Sequence, residues 1–320
     1  MFDDPLFKQL LAEFSRLYWL KPADIVWDAV PAYHIRKFVN EKDRVLDLGC
    51  GDGLFSAIAF GAQFPLEYDR FVSAKPENQK IGAGQSGDIY SDPKVATRLV
   101  KAPIRQIDVG LELKPHHIKV AKSLGAYEEL IEGQFEKIPC EDETFDKVYS
   151  AMAFYWGDNL ETQLEEVRRV LKTSGEFMVT LISEHMRDMH WAGKIAEENG
   201  ISSPMKKYLT ELDGGRRDFV TRHSGNPEKW KSLLEKHGFE TVGFTPVINE
   251  IMFLLQDISQ RPFLKMFFEM AEREDFQSFR SRAKEYLCNE VYPEFIQEML
   301  RYEGDNNVRH GMYLITAKKL

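Results

Sequence analysis

The feature that most constrains the fold is a short apolar strand that runs directly into three glycines. The strand covers Val45–Leu48, and Gly49, Gly51 and Gly53 follow at every second position before an apolar helix starts at Leu54. A side chain at any of these glycines would keep a ligand from lying against the backbone. A strand that enters such a turn and then a helix is typical of a nucleoside-binding site.

The glycine spacing separates two classes of nucleotide ligand. The turn that binds dinucleotides has the spacing G-x-G-x-x-G and holds a pyrophosphate at the helix N-terminus, whereas this chain has G-x-G-x-G. Asp47, near the end of the strand, suits a cationic amino-acid group better than a diphosphate. The pattern therefore favours S-adenosylmethionine (SAM), with a tight strand-to-helix turn that binds nothing as the alternative.

The composition excludes several classes of protein. The 320 residues, 43% of them hydrophobic, are enough for one large core, so we expect a single decorated domain over 1–320. The net charge of -9 disfavours a nucleic-acid partner, because affinity for a polynucleotide comes mainly from Lys and Arg. The first residues are acidic and no apolar run approaches ~20 residues, so we expect no signal peptide and no integral membrane segment.

The cysteines indicate the redox compartment. Cys50, Cys140 and Cys288 lie far apart, without the paired spacing of a metal site. Their odd number also argues against a disulfide framework. We therefore expect a cytoplasmic protein.

Helical and strand patterns alternate along the chain. Apolar stripes predict a leading helix over 5–18 and a second over about 22–38, with a break or restart at Pro31. The predicted strands are 45–48, 107–113, 130–131, 145–151, 177–182, about 240–247 and 312–317. This alternation predicts an α/β fold with an open, doubly wound sheet.

Two long segments interrupt this pattern. The polar segment 61–106 follows the helix after the glycine turn, and topology predicts that it emerges away from the ligand edge of the sheet. A partner contact, a flexible loop and a role in substrate binding all remain open for it. The segment from about 248 to 307 separates the last two strands and is expected to form a helical cap over the site.

Five sequence stretches resemble motifs of the class I SAM-dependent methyltransferases, in particular the type 11 branch. Residues 45–53 match the first motif, and residues 110–115 are similar to the second, whose acid takes both ribose hydroxyls. The other stretches are 133–139 on the adenine side, 145–150 and 171–176. The resemblance implies a Rossmann-like sheet of seven strands with SAM as the cofactor and S-adenosylhomocysteine as its product. It also suggests a helical lead over 1–42, a SAM-binding core over 43–182 and a C-terminal half over 183–320.

The resemblance also implies the residues that bind the cofactor. They are Asp47, Gly49, Cys50, Gly51, Gly53, Glu112, Leu113, Gln134, Phe135 and Ser150. Two departures from the family pattern stand out. Position 134 is Gln where the family commonly has Asp, although an amide oxygen still accepts a hydrogen bond. Glu112 also lies much further from Gly53 than the roughly 20 residues that such folds usually need, which makes 61–106 an insertion.

The resemblance predicts methyl transfer to an oxygen or nitrogen nucleophile of a small molecule, a glycan or a lipid-linked intermediate. A hydroxyl acceptor usually needs a general base, whereas an amine of near-neutral pKa does not. His185 and Tyr155 are the candidate catalytic residues, and Tyr18, Tyr155, Trp156 and His190 are the candidate substrate contacts. No metal is expected. A SAM-binding protein without catalysis is the alternative, and an NAD(P)-dependent oxidoreductase is disfavoured by the glycine spacing.

Overall fold

A mixed sheet of seven strands forms the centre of the protein. The computed structural model describes residues 1–73, 81–82, 85–86, 99–263, 266–267, 269–270, 273–303, 305 and 307–320. The strands are β1 Val45–Leu48, β2 Ile107–Glu112, β3 Tyr127–Glu132, β4 Phe145–Ser150, β5 Leu171–Ile182, β6 Phe239–Asn249 and β7 His310–Lys319. Their order across the sheet is β3-β2-β1-β4-β5-β7-β6.

Strand β1 has parallel neighbours on both sides. Its Asp47 is in register with Gly110 of β2 and with Tyr149 of β4. The carboxyl ends of β1, β2 and β4 therefore meet at one edge of the sheet, where ligands of such folds bind. Only β7 among the seven strands runs antiparallel to its neighbours, β5 and β6. The predicted doubly wound fold, with a helical lead and a cap before the last strand, is confirmed.

Helices cover both faces of the sheet. In chain order they are α1 Pro5–Leu17, α2 Pro22–Phe38, α3 Leu54–Ala59, α4 Pro115–Leu124, α5 Leu160–Val170, α6 Met186–Met189, α7 Trp191–Ala196, α8 Ser203–Asp213, α9 Arg216–His223, α10 Pro227–Lys236, α11 Glu250–Leu255, α12 Glu274–Tyr286 and α13 Tyr292–Leu300. Successive side chains of β1 point to opposite faces, so Val45 joins one apolar core and Leu46 the other. Parallel strands covered in this way read as continuous apolar runs.

Helix α2 differs from its prediction. It runs without interruption through Pro31, so the predicted break is wrong. Proline removes one helical hydrogen bond, but Val30 and Ala32 on either side of it are fully buried. Packing of the surrounding turns therefore holds the helix together across the proline.

Two strands begin earlier than the sequence pattern predicts. Strand β3 starts at Tyr127, and β5 starts at Leu171, directly after α5. Ser174 has a φ of 64°, so the predicted turn lies inside β5 rather than before it. A register shift against β4 accommodates this turn.

The first part of the insertion returns to the carboxyl edge of the sheet. Arg70 donates from Nη2 to Oδ2 of Asp52 in the glycine turn at 2.9 Å. Asp69 accepts from Nε of Arg280 in α12 at 2.6 Å. The segment leaves α3 beside the residues that lead into β2, where the carbonyl of Phe60 accepts from the N–H of Ile104 at 2.8 Å, and it then wraps back to the glycine turn by Arg70. Residues 74–80, 83–84 and 87–98 of this segment lie outside the described residues.

The cap between β6 and β7 consists of α11, α12, α13 and two π-helical turns, Gln256–Gln260 and Leu287–Val291. It contacts the helical lead directly. Gln260 accepts from the backbone N–H of Ala23 at 3.1 Å and donates to Oδ1 of Asp24 at 3.0 Å. Trp27 of α2 packs edge-on against Phe253 of α11, with ring centroids 4.7 Å apart. The cap and the start of α2 thus form one wall of a cleft.

Two further properties concern the described residues alone. They contain no helix that combines the length and the hydrophobicity needed to cross a bilayer. They also bring together no group of three or more His, Cys, Asp or Glu side chains suited to a metal ion.

The contact between α3 and α4 predicts the stability of one glycine variant. Gly53 has a φ of +77°, and a Cβ there would lie 2.9 Å from Cβ of Ala121. Gly53→Ala should therefore destabilise the fold by about 2–4 kcal/mol, since neither helix has room to shift. Gly125→Ala is the matched control: its φ is +62° but nothing lies within 4 Å, so only a backbone cost of about 1 kcal/mol is expected. Urea unfolding of both variants measures the difference, and equal losses would contradict the packing argument.

Candidate active site

The glycine turn is tied to the end of β2 by backbone hydrogen bonds. The N–H groups of Gly49 and Cys50 donate to the carbonyl of Leu111 at 2.9 and 3.0 Å. The next residue of β2, Glu112, accepts from the N–H of Gly51 at 2.9 Å. The turn and the acid of the second motif therefore form one unit, although a long insertion separates them in sequence.

The three glycines of the turn have different surroundings. All three have positive φ, between +57° and +85°. A Cβ on Gly49 would lie 2.5 Å from Cβ of Ala153 and 3.0 Å from Cζ of Phe135, and Gly53 faces α4 as described above. A Cβ on Gly51 meets nothing within 4 Å. Gly51 alone therefore borders open space, whereas the other two glycines let neighbouring segments pack closely.

Glu112 is held as a carboxylate beside that space. Its side chain also accepts from the N–H of Lys114 at 2.9 Å, and Nδ1 of His117 lies 3.7 Å from Oε1. Burial raises the pKa of Glu112, but the nearby His117 and the hydrogen bonds from the Lys114 and Gly51 N–H groups outweigh it and bring the pKa below its ordinary value. Each oxygen of an ionised carboxylate has two acceptor sites. Glu112 thus keeps capacity for two hydroxyl donors.

Asp47 lies deeper than its predicted role requires. The carboxyl is 3% exposed, and its Oδ2 accepts from the hydroxyls of Ser56 at 2.5 Å and Tyr127 at 2.7 Å. Burial raises its pKa to about 6, despite the hydrogen bonds from Ser56, Tyr127 and Tyr149. Asp47 therefore links α3 and β3 beneath the turn. Its hydrogen bonds indicate this structural role rather than direct contact with a ligand ammonium.

Residues that follow β2 and β3 flank the same space. Leu113 is 55% exposed directly after Glu112, and Gln134 is exposed in the turn after β3. Phe135 lies half-buried against Gly49 and Phe154, with the two phenylalanine ring centroids 6.0 Å apart. An apolar face and an amide next to Glu112 are suited to a nucleoside base.

Aromatic side chains of the helical lead and of the segment after β4 pack on one apolar core. Tyr18, after α1, donates from its hydroxyl to Oδ2 of Asp28 at 2.6 Å. Tyr155 follows β4 in the 3₁₀ helix Phe154–Trp156, and burial raises its pKa. Trp156 stacks on Phe219 of α9, with ring centroids 4.3 Å apart. We use the name aromatic cleft for the partly exposed region that Tyr18, Trp27 and Phe219 share on this core.

Part of the chain matches a known domain family. A sequence model described as a methyltransferase domain matches residues 95–179. The chain is 27% identical over 105 residues to malonyl-[acyl-carrier protein] O-methyltransferase 1 of Coxiella burnetii, covering 32% of this chain and only 36% of that protein. It is 29% identical over 242 residues to an uncharacterized protein of Methanocaldococcus jannaschii, covering 74% and 75% of the two chains. An S-adenosylmethionine dependent methyltransferase from Mesorhizobium loti has 15% identity, coverage of 91% and 98%, and a TM-score of 0.43.

A methyltransferase domain is thus matched over residues 95–179. The joined motifs resemble those of the class I SAM-dependent methyltransferases. SAM is the cofactor of this family, and the local structure fits it, since Gly51 leaves an open cradle beside the acceptor oxygens of Glu112. The domain match starts at residue 95, after the glycine turn, so it does not include Gly51. The hydrogen bond between the Gly51 N–H and Glu112 joins the turn to the matched region.

Two residues predicted to bind ligands have structural partners within the fold. Ser150 is 1% exposed and donates its hydroxyl to the carbonyl of Leu48 at 2.6 Å, which links β4 to β1. His190 is 2% exposed, lies edge-on to Phe253 and has its Nδ1 3.4 Å from Nη1 of Arg261. Burial and three nearby arginines lower the pKa of His190 well below its ordinary value, so the ring is neutral. These contacts give both residues a structural role, and their contact with ligands stays a prediction.

His185 lies apart from these aromatic side chains. Its side chain is 44% exposed, with Nε2 3.7 Å from Oε1 of Glu184. Within the part of the chain that the structure describes, no hydrogen bond or ring contact joins His185 to Tyr155 or Asp28. Its catalytic role stays a prediction that the local geometry does not favour.

Sequence reasoning missed Asp28, Asp52 and Arg70. Arg70 joins the insertion to the turn through Asp52, and its guanidinium carbon lies 5.2 Å from the Tyr18 ring centroid. Asp28 had a usable signal, since it is an acid within the apolar run of α2. Arg70 had none, because its contact depends on how the insertion turns back.

The buried Asp47 predicts an unusual pH dependence of stability. Its pKa rises from about 3.9 in the unfolded chain to about 6 in the fold. A raised pKa contributes stability below the unfolded value, and this contribution is lost as pH rises through about 6. Asp47→Asn should therefore be more stable than the wild-type protein at about pH 8, by up to about 3 kcal/mol, with no difference below about pH 4.

Urea unfolding across this pH range measures the effect, and Asp146→Asn is a control of opposite sign. Burial raises the pKa of Asp146, but the hydrogen bond from the Arg44 N–H and the ion pair with Lys172 lower it by more. Asp146 is therefore a carboxylate at neutral pH. Its stabilisation is present at neutral pH and is lost on acidification, so Asp146→Asn should destabilise the neutral protein. An Asp47→Asn stability difference that stays constant with pH would contradict the assignment.

Proposed function

We propose that this chain transfers a methyl group from SAM to an oxygen or nitrogen nucleophile of a small molecule, a glycan or a lipid-linked intermediate. The observation that carries the proposal is the open cradle at Gly51, bordered by the ionised Glu112. An aromatic cleft with a buried phenol, Tyr155, lies at the same edge of the sheet. The two together supply a nucleoside site and an adjacent acceptor site.

Glu112 would accept from the ribose hydroxyls, and Leu113, Gln134 and Phe135 would contact the adenine. When bound, SAM supplies a methyl group whose bond to the sulfonium sulfur breaks with its electrons left on sulfur, while the acceptor lone pair forms the new bond. The protein must therefore hold the acceptor in line and exclude water, which contributes on the order of 7–11 kcal/mol in favourable cases. The contact between Trp27 and Phe253 closes the cleft on the cap side.

The net charge and the free cysteines bear on the class of acceptor and on the cellular compartment. The net charge of -9 supports an acceptor other than a nucleic acid. Cys50, Cys140 and Cys288 are all free, which supports a reducing, cytoplasmic location. We assign the reaction to biosynthesis.

A glycine variant tests the cofactor cradle. Gly51→Ala places a methyl group in the open space and should weaken S-adenosylhomocysteine binding by about tenfold or more, equivalent to about 1.4 kcal/mol. Gly125→Ala has the same kind of backbone, with positive φ and no neighbour within 4 Å, but lies at the end of α4. Calorimetry should show normal affinity for this control. Equal affinities in both variants would remove Gly51 from the cofactor site.

The function itself is tested with labelled SAM and a metabolite extract. We expect label in an extracted product, and we expect S-adenosylhomocysteine, but not NAD, to raise the melting temperature by selective binding to the native state. Stabilisation by S-adenosylhomocysteine without any labelled product would identify a SAM-binding scaffold or regulator. Stabilisation by NAD alone would point to a dinucleotide-dependent reaction instead.

A further inference from the structure

One side of α2 is more exposed to solvent than the residues that face the core. Asp24, Trp27 and Asp28 are partly exposed, at the i, i+3 and i+4 spacing that places them on one side. The intervening residues Ile25, Val26, Ala29 and Val30 are fully buried. These three positions therefore form the partly exposed side of α2.

The carboxyl of Asp28 accepts a hydrogen bond from the neutral hydroxyl of Tyr18 at 2.6 Å. Among the described residues, no cationic side chain lies within ion-pair distance of its carboxyl. A carboxylate in such surroundings is costly unless a cation joins it.

The nearby charged groups are already paired with one another. Asp24 forms an ion pair with Lys21 and accepts a hydrogen bond from Gln260. Arg70 forms an ion pair with Asp52 at 2.9 Å. Lys21 and Arg70 are thus each in contact with another carboxylate, and Asp28 has only their longer-range attraction.

Aromatic rings surround this carboxyl. The Tyr18 ring lies against Phe14, with centroids 6.3 Å apart. Trp27 lies one helical position away and meets Phe253 of the cap. The negative charge of Asp28 contributes to the raised pKa of Tyr155, so the two side chains lie within electrostatic range of each other. Aromatic faces attract cations by about 0.5–2 kcal/mol, so the cleft combines two features that recognise a positive charge.

The carboxyl is connected to the glycine turn through two residues. Tyr18 donates to Asp28, and the Arg70 guanidinium that covers the Tyr18 ring also binds Asp52 of the turn. Tyr155 approaches from the end of β4, which is adjacent to β1. Asp28 therefore lies at the edge of the sheet where the cofactor cradle opens.

Asp28 changes its protonation state close to neutral pH. Burial raises the pKa of Asp28 to about 7, with a further rise from Asp24, while Tyr18, Arg70 and Lys21 lower it. A general base is most effective when its pKa lies close to the working pH.

We propose that Asp28 binds the methyl acceptor as a protonated amine and removes its proton. The N–H bond breaks, its electron pair stays on nitrogen as the nucleophilic lone pair, and the proton forms an O–H bond on Asp28 before it leaves to solvent. Tyr18 positions the carboxyl through its hydrogen bond. The inference rests on the proposed function and narrows it to an amine acceptor.

Binding experiments test the assignment without turnover. The probes are phenethylamine, 2-phenylethanol and 3-phenylpropionate, titrated calorimetrically in the presence of S-adenosylhomocysteine. The wild-type protein should bind the amine at least about tenfold more tightly than the other two probes. Asp28→Asn should lose this preference. Asp3→Asn, which removes the same charge from a fully exposed position of the lead, should keep it.

The pH dependence separates a positioning role of Tyr18 from a purely structural one. Amine affinity should increase as pH rises through about 7, because the carboxylate form binds the ammonium. Tyr18→Phe removes a hydrogen bond that lowers the pKa of Asp28, so the midpoint should move to higher pH. An unchanged midpoint in a folded variant would contradict the Tyr18 role.

Other outcomes overturn the proposal in distinguishable ways. If the wild-type protein shows no preference for the amine, or Asp28→Asn retains it, Asp28 is not the amine site. If labelled SAM gives ethers or esters from the extract but no methylated amine, the amine assignment fails while methyl transfer stands. If the protein binds S-adenosylhomocysteine and labels nothing, the proposed function itself fails.

Discussion

The hydrogen bond from the Gly51 N–H to Glu112 is the contact on which the site depends. It joins residues 61 positions apart in the chain and bridges the whole insertion. The hydrogen bonds from Gly49 and Cys50 to Leu111 join the same two segments through the backbone. At Gly51, a backbone donor holds the carboxylate while the missing Cβ of Gly51 leaves the space beside it open. The insertion can therefore extend far from the sheet without disturbing the cradle.

The three carboxyls near the cleft show how environment separates their chemistry. Glu112 receives N–H donors from the backbone and stays ionised. Asp47 receives only hydroxyl donors at full burial, and Asp28 receives one hydroxyl in a partly open cleft. Burial dominates in the last two and raises their pKa. One carboxyl is thus suited to binding neutral hydroxyls, one to holding helices together and one to exchanging a proton.

The sequence predicted the parts of this fold that local patterning determines. The glycine turn, Glu112 and the alternation of strands and helices all follow from residue spacing over short distances. The continuity of α2 through Pro31 did not, because burial of its neighbours outweighs the lost hydrogen bond. The path of Arg70 back to Asp52 and the cleft position of Asp28 also depend on contacts between distant segments. Those contacts have no local signature.

The cap also supplies a hydrogen-bond acceptor to the first turn of α2. Lys21, at the start of α2, offers no side-chain acceptor to the first turn, and Gln260 accepts from the Ala23 N–H in its place. A helix end that loses such a partner typically loses about 1 kcal/mol and frays. The order of the turn that precedes Asp28 therefore depends on a side chain more than 200 residues later in the chain. A substitution at Gln260 would act on Asp28 through the helix end, without touching the carboxyl itself.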